Sequence, residues 1–419
     1  MVQLNVLISA YACRPGEGSE PGIGWDVARE LANYHNVWVL TRENNRSAIA
    51  AELDRNPVPG LKMIYVDLPA WAMWWKRGMR GVQLHYYLWQ IIAYFVGRDL
   101  HRNLNFDLVH HVTYVRYWGP SFLSLLPVPF IWGPVGGGES APQAFRQDFS
   151  WRGKLYERVR DIAHWLGEHD PFVHMTARRS SLVRATTEDT AKRLYNLGAK
   201  TVQVYSQVGL SEAQIDELAR YAEGDRPPVR FISIGRLLHW KGFHLGLHAF
   251  ARADLPENAE YWVVGDGPER QRLQALAETL KISSRVKFWG MLPRQETLNK
   301  LGECFVLVHP SLHESGGLVC VEAMATGRPV ICLDLGGPAV QVTAETGFKI
   351  PAHTPEQAIE DLNQAMTCLA KDADVWLRLS QGAQARVKAQ FSWKAKGLDL
   401  NRTYENILSQ VRNCSTTMI

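Results

Sequence analysis

Cysteine is sparse and scattered. The six residues, at 13, 304, 320, 332, 368 and 414, form no Cys-x-x-Cys pair and no Cys/His cluster. That disfavours a zinc site and a disulfide framework and suits a reducing compartment. Strong charge of either sign is also missing. A net charge of +4 over 419 residues, 21% of them charged, permits anionic ligands but does not describe a nucleic-acid-binding surface. No basic segment followed by a long apolar core opens the chain, so Leu4 to Ala10 is expected to be a first strand rather than a signal peptide. Gly81 to Gly97 is free of Asp, Glu, Lys and Arg. It nevertheless contains Gln83, His85 and Gln90 and falls short of the ~20 apolar residues a spanning helix needs. The dinucleotide fingerprint is absent too. Gly22-Ile23-Gly24 is followed by Trp25, Asp26 and Val27 rather than a third glycine, which disfavours a nicotinamide enzyme.

What is present is an alternation of apolar runs and helical patterns over a chain too long for one core, 46% of it hydrophobic. Two α/β domains are expected. Strands are predicted at Leu4–Ala10, Val37–Leu40, Asp107–Thr113, Pro129–Trp132, Ser181–Thr187 and Thr201–Tyr205. A second series is predicted at Val229–Gly235, Glu260–Val264, Arg285–Gly290, Phe305–Val308 and Val330–Cys332. The boundaries drawn are 1–206, 207–390 and a terminal helix, 391–419, long enough to cross back to the first domain.

The stretch 309–329 organises this reading. Glu314 sits in a loop with Ser315, Gly316 and Gly317. Glu322, eight positions on, sits in a helical run from Leu318 to Ala325 that Gly327 and Pro329 close. Glycines opening a helix leave backbone N–H groups aimed at an anion, and the helix dipole adds to that preference. Glu314 can take sugar hydroxyls, and Glu322 can accept from the two neighbouring hydroxyls of a ribose. Upstream, Arg236 follows the strand ending at Gly235 and Lys241 stands five further on. Two cations at a strand's carboxyl end can neutralise a diphosphate. The strand exit at Gly290-Met291 can meet a flat base.

In the N-terminal half, the turn Cys13–Gly24 with Gly22 and Gly24 is read either as a close approach to a ligand or as a turn needing positive φ. His110 and His111 end a strand and point to opposite faces, so at most one faces a ligand. Gly136-Gly137-Gly138 suggests backbone approach to a ligand or a mobile flap. Residues 71–98 are rich in aromatics near Lys76, Arg77 and Arg80. Their stripe Leu84, Leu88, Ile91 and Phe95 is expected to be core, with a helix at a membrane surface as the second reading. The only Asp-x-Asp, Asp372-Ala373-Asp374, is expected to be a solvated turn.

With Gly235-Arg236, Lys241-Gly242, Gly265-Asp266-Gly267-Pro268 and the Glu314/Glu322 pair in this order, the chain resembles glycosyltransferase family 4, the retaining glycosyl transferases group 1. The resemblance covers most of the chain and is strongest over 229–345. It implies the GT-B fold: α/β, two Rossmann-like doubly wound domains with a deep interdomain cleft. It also implies that Arg236 and Lys241 bind phosphate and that Glu314 lies near the transferred sugar. By the same resemblance Glu322 holds the ribose, and amides at Gly316, Gly317 and Leu318 meet sugar and phosphate. Gly22 and Gly24 belong to the glycine loop after strand one, and one of His110 and His111 approaches the sugar. Three departures stand out. Gly316 replaces the usual aromatic, the His-x-His register has become His-His-Val, and Val340 and Gln341 occupy a region where a glutamate is common.

The activity implied is transfer of a hexosyl group from a UDP- or GDP-sugar co-substrate, with no metal or other cofactor, to a glycan, glycolipid or lipid-linked hydroxyl. The setting expected is the cytoplasm, with peripheral contact at the inner membrane face through 71–98. The rivals are a sugar-nucleotide epimerase and a non-catalytic sugar-nucleotide-binding protein.

Overall fold

The structure, a computed structural model, describes residues 3–18, 20–76, 78, 80–222 and 226–416. Arg77 and residues 223–225 lie outside them. The chain forms two compact units: Met1–Gly138 with Asp161–Gln207 and Trp393–Ile419, and Glu139–Arg160 with Val208–Ser392.

The first unit holds β1 (Asn5–Ala10), β2 (Asn36–Thr41), β3 (Leu61–Tyr65), β4 (Leu108–Thr113), β5 (Phe130–Val135), β6 (Leu182–Ala185) and β7 (Val202–Val204). They pair in parallel in the order β3-β2-β1-β4-β5-β6-β7. The second unit holds β8 (Arg230–Ile234), β9 (Glu260–Val264), β10 (Val286–Gly290), β11 (Val306–His309), β12 (Val330–Leu333) and β13 (Gly347–Ile350). Their order, again all parallel, is β10-β9-β8-β11-β12-β13. Central strands such as β1, β4 and β11 are buried along most or all of their length, because helices cover both sheet faces and every side chain meets apolar neighbours. Separate apolar clusters lie on the two faces of each sheet.

Three sequence expectations are corrected here. The stripe Leu84, Leu88, Ile91 and Phe95 of the helix Val82–Leu104 is not core: Leu84 and Phe95 are exposed, and the buried face is His85, Tyr86, Trp89, Gln90, Ala93 and Gly97. Polar partners inside the unit draw that face inward. Tyr11 Oη lies 2.8 Å from His85 Nδ1, Asp67 lies 2.9 Å from His85 Nε2, and Trp89 Nε1 donates to the Val66 carbonyl.

The turn expected over Cys13–Gly24 is shorter, since a helix runs over Glu20–Leu31 and contains Gly22 and Gly24. A Cβ on Gly22 would strike the Glu17 carbonyl and one on Gly24 the Ala12 carbonyl. In the Cβ direction both positions are filled by the chain's own loop. The glycine run after β5 is packed in the same way: a Cβ on Gly137 would meet the Trp118 ring and one on Gly138 the backbone of Thr190.

Candidate functional site

In the second unit the strand order reverses between β8 and β11, and ligands of open parallel sheets bind beyond the carboxyl ends of strands at such a point. Both charged loops singled out above leave from there. β8 runs into Gly235 and then Arg236, which is exposed and has no ion-pair partner among the described residues. A single turn, His239–Lys241, follows, and Gly242 turns the chain at φ +66°. A Cβ at Gly242 would strike the Pro310 carbonyl, so only glycine lets this loop lie against the one after β11. Leu312 N–H donates to the Trp240 carbonyl at 2.8 Å, and Trp240 stacks on His313 with ring centroids 5.0 Å apart.

The Lys241 ammonium forms an ion pair with the Glu314 carboxylate, and His309 Nε2 lies 3.8 Å from the same carboxylate. Burial works to raise the Glu314 carboxyl, but His309 and Lys241 outweigh it and hold the group well below the usual carboxylate range. Glu314 is therefore a fixed anion. Its loop is clamped from behind. Gly337 N–H donates to the Glu314 carbonyl at 2.7 Å, and the Gln341 amide donates to the Gly316 carbonyl. Gly317, at φ +74°, caps the helix Leu318–Ala325, whose opening N–H groups have no acceptor within the helix. Glu322, on that helix, is 6% exposed and pairs with Arg294 at 2.6 Å. Burial raises its carboxyl, and the Arg294 charge only partly offsets this. Gly290 ends β10 at φ +72°, with Met291 exposed beside it.

Several supporting residues escaped the sequence reading. Residues 139–160 follow β5 in the chain yet pack with the second unit. From this segment Glu139 accepts a hydrogen bond from Ser315 Oγ at 2.6 Å. Glu157 sits between His239 Nε2 at 3.3 Å and His313 Nε2 at 3.2 Å, so one buried carboxylate ties both site loops. Burial opposes its ionisation, but the two histidines and Arg160 hold its carboxyl well below the usual range. No local motif marks these acids, which the fold brings in from far along the chain. Arg294 and Gln341 were equally silent, although Gln341 stands where a departure from the family pattern had been noted. Asp372 proves to be a helix cap: its Oδ1 accepts from Asp374 N at 3.0 Å and Val375 N at 2.9 Å.

The structure places His110 and His111 in the core of the first unit, fully buried and on opposite sheet faces. His110 Nε2 lies 2.7 Å from the Gly133 carbonyl and must donate to it, so Nδ1 accepts from Tyr404 Oη at 2.6 Å. His111 bridges Tyr86 Oη at 3.1 Å and Ser121 Oγ at 2.9 Å. Every ring nitrogen is engaged, so neither is offered to a sugar, and the catalytic role expected of one of them has no geometric support. Burial, first of all, lowers both rings to about 3 from an ordinary 6.5. Between those values the unfolded chain binds protons that the folded protein refuses, so stability should fall as pH drops from about 6.5 towards 3. Each ring contributes up to about 1.4 kcal/mol per pH unit. Urea midpoints measured from pH 7 to 4 should decline steadily and decline less in His110→Gln; a level wild-type profile would contradict this.

Two Rossmann-like units with parallel, doubly wound sheets define the GT-B fold. Residues 217–376 match the family described as glycosyl transferases group 1. Among curated relatives, the chain is 27% identical over 264 residues to alpha-D-kanosaminyltransferase of Streptomyces kanamyceticus, covering 60% of this chain and 66% of that one. It is 31% identical over 227 residues to the lipopolysaccharide core biosynthesis glycosyltransferase LpsE of Rhizobium meliloti, covering 52% and 62%. The chain thus spans about two thirds or less of the length of the curated relatives it matches. The fold is similar to that of sucrose-phosphate synthase from Thermosynechococcus elongatus, with a TM-score of 0.63 at 18% identity over 97% of this chain and 100% of that one. It is also similar to Anabaena HepE solved with UDP, with a TM-score of 0.58 at 18% identity over 96% and 100%.

Proposed function

We propose that the chain is a retaining glycosyltransferase, of family 4, that moves a hexosyl group from a nucleotide diphosphate sugar to a hydroxyl acceptor. The observation that carries this reading is the meeting of Lys241 with Glu314 at the β8/β11 switch point, with Arg236, on the same loop as Lys241, lacking any ion-pair partner among the described residues. A cation already paired and a cation left over suit an incoming diphosphate. Arg236, Lys241 and the amides at Gly316, Gly317 and Leu318 take the phosphates. Glu314 takes sugar hydroxyls, Glu322 the ribose, and the backbone at Gly235 and Gly290 bounds the nucleoside. The anomeric carbon–oxygen bond to the phosphate breaks as a bond to the acceptor oxygen forms on the same face. The acceptor's proton passes to the leaving phosphate. The enzyme's part is to stabilise charge on that phosphate with groups already oriented.

The matched glycosyltransferase family and the curated relatives named for glycosyl transfer support this reading. The acceptor is a glycan, glycolipid or lipid-linked hydroxyl, met in the cytoplasm at the inner membrane face. The exposed Trp71 and Trp74 favour peripheral contact through 71–98, and no helix among the described residues is long and apolar enough to cross a membrane.

A thermal-shift panel of UDP- and GDP-sugars tests the donor, because a ligand bound at a hundred times its Kd stabilises the fold by about 2.7 kcal/mol. No shift with any of them would end the proposal. Conversion of donor without acceptor would indicate an epimerase instead, and binding without turnover a sugar-nucleotide-binding protein.

A further inference from the structure

The helix Trp151–Glu168 is built inside out. Its inward face is polar: Glu157 and His164 are buried, Glu157 holding His239 and His313. Its outward face is apolar. Trp151, Leu155, Val159, Ile162 and Leu166 recur every three to four residues and so fall on one arc of about a quarter turn. These five are 52% to 70% exposed. Ordinary amphipathic surface helices turn their apolar stripe to the core. Trp165, also exposed, flanks the arc with the exposed Lys154 and Arg158, and the exposed Arg152 borders the other side. An apolar ridge with tryptophans beside it and cations along its borders is the composition of a helix lying in a bilayer interface, where long basic side chains reach up to lipid phosphates.

From Asp161 onward the helix belongs to the first unit. Tyr87 Oη donates to Asp170, just beyond the helix end, at 3.2 Å. Tyr87 belongs to the helix Val82–Leu104, whose exposed Leu84 and Phe95 were expected in the core.

We propose that the outward face of the helix Trp151–Glu168 docks the protein on an anionic lipid bilayer, with the apolar arc among acyl chains and Arg152, Lys154 and Arg158 on headgroup phosphates. The charge pattern favours lipid over a second copy. Two such faces packed symmetrically would set equivalent cations of both copies around one small interface, where like charges repel. The proposal goes beyond the donor chemistry and stands without it, since Arg236, Lys241 and Glu314 are not part of the ridge. It also gives the helix two tasks, one on each face: lipid outside, and Glu157 holding the site loops inside.

The test is co-sedimentation of the full chain with vesicles of phosphatidylcholine alone and with about one third phosphatidylglycerol, whose negative surface potential attracts cations. Binding is expected to the anionic vesicles and to weaken at high salt. Ile162→Glu with Leu166→Glu should reduce it at least about tenfold, since each side chain's apolar transfer is lost and a charge is added at the interface. Lys154→Glu with Arg158→Glu should reduce it by a factor of roughly five or more per cation. These positions are solvent-facing, so thermal midpoints should stay near wild type, and donor-induced thermal shifts should persist in solution whether or not vesicles bind. Absence of binding to anionic vesicles, or equal binding by both variants, overturns the proposal. So does equal, salt-insensitive binding to neutral vesicles, or light scattering showing a dimer that the Ile162/Leu166 variant abolishes.

Discussion

Lys241→Ala should lose on the order of 10²–10³ in kcat with its fold intact, the range typical for removing one oriented group that meets developing charge. Lys241 is reached through Gly242, where no other residue fits against the Pro310 carbonyl, and its ammonium is already desolvated enough, at 17% exposure, to act through a low dielectric. Before donor binds, Glu314 holds it. When the diphosphate arrives, the same ammonium faces two anions, and the charge that grows as the glycosidic bond breaks is on the phosphate. The interaction therefore strengthens towards the transition state, and such interactions raise kcat rather than only lowering KM. Removal leaves a Glu314 carboxylate that is 21% exposed and open to water, so the loss of stability should stay below the 3–5 kcal/mol of a broken buried pair. Steady-state kinetics with circular dichroism as a folding control check this. Turnover within threefold of wild type would remove Lys241 from the phosphate site.

The same residue shows what a sequence alone can carry. Both sheets were legible from apolar runs, because strands buried on both faces must be continuously apolar. The two strands that escaped are edges. β3, Leu61–Tyr65, and β13, Gly347–Ile350, each carry a lysine and are only partly buried, so their pattern blurs into loop. Arg236, Lys241, Glu314 and Glu322 could be singled out because a charged residue just past a strand end, or on a helix opened by glycines, has few structural reasons to be there.

What sequence could not supply was the far partner. Glu157 and Glu139 reach the site loops across more than 80 positions, His239 and His313 on one side and Ser315 on the other. Arg294 meets Glu322 only because two helices pack. Glycine misled most. Gly22, Gly24, Gly137 and Gly138 do mark close approach, but the approaching atoms belong to the chain itself. The adjacent histidines misled for a related reason: a polar residue ending a strand resembles a ligand-facing group until Tyr404 and Tyr86 are seen to satisfy it.

Glu322→Gln should act in opposite directions on stability and on binding. Its carboxylate is 6% exposed, and burial raises its carboxyl above the ordinary value despite the Arg294 charge. A group whose folded pKa is raised stabilises the fold below its unfolded pKa and loses that contribution as pH rises through the folded value. Above that folded value the ionised carboxylate is a cost to the folded state, and replacing it with a neutral amide of the same shape should leave the thermal midpoint equal to or above wild type. Binding should suffer. A ribose offers two hydroxyl donors, each of which would form a charge-assisted bond with the carboxylate, worth roughly 1.5–3 kcal/mol where the acceptor is ionised. The amide keeps one neutral acceptor and adds a donor with no partner, so affinity for a nucleoside diphosphate should fall at least about tenfold, or 1.4 kcal/mol. Arg294, whose side chain is 52% exposed, can move into solvent as the ribose enters, so Arg294→Ala should weaken binding less than Glu322→Gln does. Calorimetry and thermal denaturation on the same three proteins read both effects. A lower midpoint in Glu322→Gln together with unchanged nucleotide affinity would make Glu322 a structural acid and remove the ribose from this helix.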